Sequence, residues 1–316
     1  AGRREPGLGG ARRPLGSLAM IVPSTASSVF RQVRGLDVLT WPVFDAFSLD
    51  AFATTRAGGV SAGGYGALNL SLKVGDDPAH VLENRRRAAA ALDADPADFV
   101  FAAQVHGNVA QVVGAADRGR GTTVAADAIP GADVLVTADP GTVLAVLAAD
   151  CVPIVLYDPA AHVLACAHAG WRGTVARAAA SAVAAMESLG AHPADIVAGV
   201  GPAAFPYQVG AGVADAATAA FGADAAGLLE PVSPGQWNFG LWAANRIVLR
   251  HAGVPDVNIH VTDVPTGPSP ASGPNPTAPA SPSRPTDPSR PTFFSHRAEQ
   301  PSGRFAAIAR LQQKES

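Results

Sequence analysis

The stretch VLAVLAADCVPIVLYDPAAHVLACAHAGWRG, residues 143–173, decides how this chain folds. Three apolar runs, Val143–Ala148, Val152–Tyr157 and Val163–Ala167, are separated first by Asp150 and Cys151 and then by Asp158 and Pro159. Short runs rich in Val, Ile and Leu between turn residues read as buried or half-buried strands. Further strands are expected upstream at Phe99–Phe101, Val109–Val113 and Val134–Thr137, and downstream at Ile196–Val200 and Val257–Val261. Longer periodic segments lie among them. Ala79–Leu92 follows the start signal Asp76-Asp77-Pro78, and its Arg85-Arg86-Arg87 is expected on a solvated face. Thr174–Leu189 follows Gly170 and Gly173 and stops at Gly190, while Leu241–Ala252 ends at Gly253. No repeat of fixed period is present. The pattern implies an α/β or α+β fold with a mixed sheet.

Composition narrows the function classes. Of 316 residues 48% are hydrophobic and only 16% charged, and lysine occurs only at Lys73 and Lys314. A net charge of −3 argues against a nucleic-acid binder, which carries a basic face. No apolar stretch approaches the roughly 18 residues of a membrane span. Two cysteines, Cys151 and Cys166, make no disulfide framework and fit free thiols in a reducing, cytoplasmic setting. Residues 1–19 are Gly/Arg-rich without a signal-peptide core, so Met20 reads as the natural start. Ten prolines crowd residues 265–291, which offer almost no large apolar side chain and are expected to form a disordered insertion. Residues 20–264 and 292–316 then remain, about 270 residues, which one domain accommodates.

Three side chains stand out at strand ends. His106 lies in Gln104-Val105-His106-Gly107, Cys151 between two apolar runs, and His168 where Val163–Ala167 ends. A thiolate with two imidazoles is a good zinc set, and three protein ligands leave a fourth position for water or substrate. The spacing is not a local metal motif. Singly, each histidine is more often a structural residue than a ligand, roughly two to one, and Cys151 alone reads as a small buried hydrophobe. Cys166, two residues before His168 and on the same strand face, is the rival thiol. Arginines beside glycines suggest anion handling: Arg172 between Gly170 and Gly173, Arg56 before Gly58-Gly59, then Arg297 and Arg304. Tight turns explain such glycines equally well.

At these residues the chain resembles the laccase-like domain family, first described as multicopper polyphenol oxidoreductases and now largely regarded as zinc-dependent purine nucleoside phosphorylases. The resemblance rests on TTRAGGVSAGGYGALNLSLKVGDDPAHVLENRR (54–86), QVHG (104–107), ADCVP (149–153), HAGWRG (168–173), GVGPAAFPYQVG (199–210), LWAANR (241–246) and FFSHR…SGRFAA (293–307). It implies a single α/β/α domain, most simply a monomer, with a metal on His106, Cys151 and His168. It also implies phosphorolysis of adenosine, inosine, guanosine or 5′-methylthioadenosine, with adenosine deamination as a side activity. Arg56, Gln104 and Arg297 are then candidates to hold substrate or phosphate, and Asp150, Arg172 and Asn69 to act in catalysis. Two other activities follow from relatives: a copper-dependent polyphenol oxidase, which would need more His-rich ligand sets than eight scattered histidines supply, and a cytosolic amidase editing peptidoglycan precursors. The chain departs from the family pattern at Pro265, at Gly240 before Leu241, and at Gln208 after Tyr207.

Overall fold

The structure is a computed structural model that describes residues 27–267 and 291–313. The Gly/Arg-rich segment 1–19 and all but the ends of the Pro-rich window lie outside the described residues. The strands form two large sheets and a small one. The first sheet has the spatial order β1 (Val29–Val33), β2 (Leu36–Thr40), β3 (Leu49–Thr54), β16 (Phe305–Leu311), β8 (Val143–Ala148), β4 (Phe99–Ala103), β6 (Ile129–Pro130). The second runs β15 (Ile259–Val261), β11 (Val197–Val200), β9 (Val152–Asp158), β10 (Val163–Ala169), β7 (Val134–Thr137), β5 (Ala110–Val112). A three-stranded ribbon, β12 (Gln208–Gly210), β14 (Gln236–Phe239) and β13 (Leu229–Ser233), stands beside them. The helices are α1 (Pro78–Leu92), α2 (Trp171–Val175), α3 (Ala178–Glu187), α4 (Ala211–Phe221) and α5 (Leu241–His251).

The apolar runs of residues 143–173 are strands because both of their faces are covered. Along β10, Leu164 and Cys166 point into a core shared with Leu144, Val146, Phe305 and Ala307 of the first sheet. The alternate residues Val163, Ala165, Ala167 and Ala169 pack with Ala182, Val183 and Met186 of α3 and Leu241, Ala244 and Val248 of α5. The first sheet shows its outer residues, Phe52, Phe99, Phe101, Val143 and Ile308, to Ala88, Ala89 and Leu92 of α1. Continuous apolar runs are what such doubly covered strands require, here in largely antiparallel pairings. The mixed α/β class expected from the sequence is what the fold shows, with the expected mixed sheet present as two, stacked face to face. Truncating a side chain in this middle layer, such as Leu144, would cost roughly 2–5 kcal/mol.

Some details differ from the sequence reading. Helix α1 begins as expected, with the Asp77 carboxylate accepting from Ala79 N at 2.8 Å and Pro78 at its first position. Its three arginines, however, do not share a solvated face. Arg86 and Arg87 pair outside with Glu83, but Arg85 is buried, donating to the carbonyls of Leu70, Gly121 and Thr122 with its guanidinium 3.8 Å from the Phe101 ring centroid. Burial without a counter-charge lowers its pKa to about 9. The helix expected over Thr174–Leu189 is two helices, starting earlier and broken at Ala176–Arg177, where Arg177 takes φ +62°. Tertiary bonds override helix propensity there: Arg177 donates to Ala220 O, and Asn245 of α5 donates to Thr174 Oγ1 at 2.9 Å. The strands expected at Val109–Val113 and Val257–Val261 shorten to β5 and β15.

Candidate metal centre

Two of the loops that cross between the large sheets bring side chains to the end of β10. The first leaves β4 and enters β5 through Gln104–Val109; the second leaves β8 and enters β9 through Ala149–Cys151. His106, on the first loop, and Asp150, on the second, adopt φ of +63° and +84°, unusual for residues with a Cβ. Gln104 anchors the first loop, its side-chain amide donating to Leu147 O and its carbonyl oxygen accepting from Leu147 N, both at 2.8 Å. His168 closes β10. One ligand atom each from His106, Cys151 and His168 lies within 4.8 Å of the other two, and the two imidazoles meet edge-on at a 4.9 Å centroid separation. Cys166 shares the strand face of His168 but lies between the sheets, where burial pushes its thiol well above the usual range.

The HAGWRG glycines make room for this cluster. A Cβ on Gly170 would stand 2.6 Å from Cys151 Sγ and 3.2 Å from His106 Cδ2, and one on Gly173 3.0 Å from Gly107 O. Donor chemistry, convergence and the space kept by Gly170 fit a soft, tetrahedrally disposed divalent ion. Burial alone would raise the Cys151 thiol, but the imidazoles of His168 and His106 outweigh it and bring the pKa down to about 6. Burial likewise disfavours charge on His168, and Cys151 and Asp133 overcome that and raise its pKa.

Asp133, which the sequence reading passed over, is fully buried behind the histidines. Its Oδ1 lies 2.8 Å from His168 Nδ1, and the carboxylate also accepts from the backbone N–H of Val105, His106 and Gly107 at 3.2, 3.0 and 2.6 Å. Burial opposes its charge, yet the His168 ring and the Gly107 amide hold its pKa below the usual carboxylate value. Only its place at the head of the apolar run Val134–Thr137 marked it in the sequence, and aspartates there are common turn residues.

The cluster forms one wall of a cavity of about 430 Å3. Of the other expected residues, Gln104, Asp150, Arg172 and Arg297 line it, whereas Asn69 and Arg56 do not. The Asp150 carboxylate is occupied by Thr266 Oγ1, Ser295 Oγ and Arg297 N at 2.7, 2.6 and 2.7 Å. Asn69 is consumed by Ser71, Asp76 and Arg304 N. Arg56 bonds Gly66 O and Glu299, with its guanidinium 4.7 Å from the Phe294 centroid. In its place the cavity holds Lys73 and Arg304 beside Arg172 and Arg297, with His296 and Tyr207. None of these four cations has an ion-pair partner among the described residues. Arg172 lies over Trp171 and Arg297 over Tyr207, at 4.3 and 3.8 Å from the ring centroids. Burial lowers the Arg304 pKa, partly offset by Asp150 and Cys151.

Residues 50–312 match the sequence profile of the multi-copper polyphenol oxidoreductase laccases. The chain belongs to that family. Among relatives of this laccase-like family, the purine nucleoside phosphorylase YlmD of Geobacillus stearothermophilus is 40% identical over 214 residues, 66% of this chain and 78% of that protein. A purine nucleoside phosphorylase of Deinococcus radiodurans is 47% identical over 208 residues, 65% and 75% of the two chains. The crystal structure of YlmD from Geobacillus stearothermophilus superposes with a TM-score of 0.78 at 33% identity, covering 90% of this chain and all of that one. Protein YfiH of Bacillus licheniformis gives 0.77 at 31%, with 90% and 99% covered. No helix among the described residues is long and apolar enough to cross a membrane.

Proposed function

We propose that this chain is a zinc-dependent purine nucleoside phosphorylase, cleaving adenosine, inosine, guanosine or 5′-methylthioadenosine with phosphate, and deaminating adenosine as a side activity, from one catalytic domain spanning 20–264 and 292–316. The observation that carries this reading is a single cavity joining the His106/Cys151/His168 group to four cationic side chains that have no ion-pair partner among the described residues. The relatives named purine nucleoside phosphorylase support it. At about 430 Å3 the cavity falls within the range of small-ligand sites.

In phosphorolysis a phosphate oxygen bonds to the ribose anomeric carbon as the bond to the purine nitrogen breaks and its electron pair leaves with the base. Lys73, Arg172, Arg297 and Arg304 hold the phosphate dianion and lower the repulsion that resists its approach. The stems of Leu147 and Val74 with the rings of Trp171 and Tyr207 give the nucleoside an apolar wall. Zinc on His106, Cys151 and His168 would supply Lewis acidity and an open coordination position for substrate. Asp150 acts by holding the 295–297 loop, and Gln104 by holding the loop of His106; Asn69 fixes the strand approach that presents Arg304. A copper oxidase finds less support, since among the described residues one convergent His/Cys/Asp/Glu group is found rather than several.

The test is to incubate metal-loaded protein with adenosine and phosphate and to quantify adenine, ribose 1-phosphate and inosine alongside bound zinc and copper. Adenine with ribose 1-phosphate at about one zinc per chain is expected. Folded, zinc-loaded protein that forms neither product overturns the reading, and release of amino acid from a muramyl-peptide precursor would replace it with the amidase.

A further inference from the structure

The two histidines of the metal group come from segments far apart in sequence, and a single side chain touches the machinery of both. His168 ends β10, while His106 sits on the loop between β4 and β5 in a left-handed conformation that its own sequence does not favour. Asp133 binds each. Toward β10, its Oδ1 takes His168 Nδ1 at 2.8 Å, and its backbone oxygen accepts from His168 N at 2.8 Å. Toward the loop, its carboxylate gathers three successive N–H groups, Val105 to Gly107, while its own N–H donates to Val109 O at 3.1 Å. Side chain and main chain of one residue thus close the loop at both ends. With Nδ1 of His168 occupied, Nε2 is the nitrogen left to face Cys151 and His106.

We propose that Asp133 is the positioning residue of the metal centre: its one carboxylate sets the ring nitrogen that His168 presents and, through the three amides, the place of His106, so that both imidazoles are aligned before an ion arrives. This rests on the metal reading of the cluster given above. Carboxylates bound behind a histidine ligand fix its orientation and raise its basicity, and losing one weakens metal binding by about 10–100-fold. Here the loss is expected near the upper end, because two ligands depend on the same group.

The experiment compares Asp133→Asn with Asp158→Asn. Asp158 is a matched control: it is also buried, and its carboxylate likewise binds three backbone amides, those of Ala160, Ala161 and His192 at 2.8, 2.9 and 2.8 Å, but it touches none of the cluster. Zinc affinity is measured by competition with a chromophoric chelator, and the Co(II) spectrum reports the ligand field. The positioning role predicts at least a tenfold loss of affinity and an altered Co(II) spectrum for Asp133→Asn, with Asp158→Asn binding zinc as the parent does. Equal losses in both variants, or none in Asp133→Asn, overturn it. A second measurement needs no variant: long-range proton–nitrogen NMR on the zinc-loaded parent should show His168 carrying its one ring proton on Nδ1, and a ring protonated at Nε2 with Nδ1 bare refutes the proposal. A parent that binds no zinc at all overturns the metal reading itself, and is thereby told apart from failure of the positioning role alone.

Discussion

Gly170→Ala puts the metal reading to a quantitative test, because the glycine keeps its place for the sake of its neighbours rather than its own backbone. Its φ of −71° and ψ of 179° suit any residue, so alanine brings no conformational penalty. The added methyl would lie 2.6 Å from Cys151 Sγ, against the ~3.5–4.0 Å at which heavy atoms pack comfortably. The sulfur must retreat by about 1 Å, several times the ~0.2 Å latitude of a metal–ligand bond. Overpacking of this size costs roughly 1–3 kcal/mol when it cannot relax. In the metal-free protein the thiol turns aside and most of that strain disappears. Binding an ion calls the sulfur back and restores it, so the cost falls on affinity, about 5–150-fold weaker zinc. Chelator competition on Gly170→Ala and the parent measures it, and thermal melts in excess chelator establish that the metal-free folds are alike. Gly212→Ala, where nothing lies within 4 Å of the new methyl, is the control. Zinc bound by Gly170→Ala within twofold of the parent, with an unchanged Co(II) thiolate band, would refute the reasoning.

Other outcomes follow from the same geometry. In metal-stripped protein at pH 7, Cys151 with its pKa near 6 is mainly thiolate and iodoacetamide should label it, while Cys166 stays unlabelled; labelling should fall as pH drops below about 6 and be blocked by zinc, each readable by mass spectrometry of peptides. Arg304→Met should raise the KM for phosphate about tenfold or more, as expected from losing a hydrogen bond to a charged group, whereas Arg56→Met should leave that KM alone and instead lower stability in urea by about 1–3 kcal/mol through loss of its bonds to Gly66 and Glu299. Asp150→Asn replaces an acceptor of three donors by a group that is itself half donor, and should cost about 2–4 kcal/mol in urea unfolding and raise the mobility of the 295–297 loop in hydrogen exchange.

What the amino-acid sequence disclosed was governed by burial. β8, β9 and β10 could be read because covered faces on both sides demand unbroken apolar runs. β1, β3 and β16 escaped notice because VFRQV, LDAFAT and FAAIARL mix small, charged and apolar residues; a hairpin with β2 makes β1 a strand, and pairing across some 250 residues joins β3 and β16. α4, Ala211–Phe221, is so rich in alanine that it shows little periodicity. In the site, the three converging ligands were visible as chemically rare residues at strand ends. Asp133 was not, since its partner His168 is 35 residues away and an aspartate before a strand is ordinary. On the anion side, an arginine beside glycines marks Arg56, Arg172, Arg297 and Arg304 alike, but which guanidinium reaches the cavity is decided by the fold, which turns Arg56 toward Gly66 and Glu299, leaves the other three lining the cavity and adds Lys73.

The placement of β16 bears on how the chain assembles in time. It is the last of the described strands in sequence, yet it lies in the middle of the seven-stranded sheet, pairing Ala307 with Ala53 of β3 and Phe305 with Ala148 of β8. During synthesis β3 and β8 emerge early and have no partner to join them. Until some 250 further residues have followed β3, the first sheet remains two separate ribbons. Loop closures that long slow folding, and the unpaired edges of the half-built sheet are where a nascent chain is exposed to aggregation. The cavity wall bearing His296, Arg297 and Arg304 arrives in the same late segment. A ribosome-bound chain therefore carries His106, Cys151 and His168 well before the residues that complete the cavity wall, and that hold Asp150 beside Cys151, have emerged.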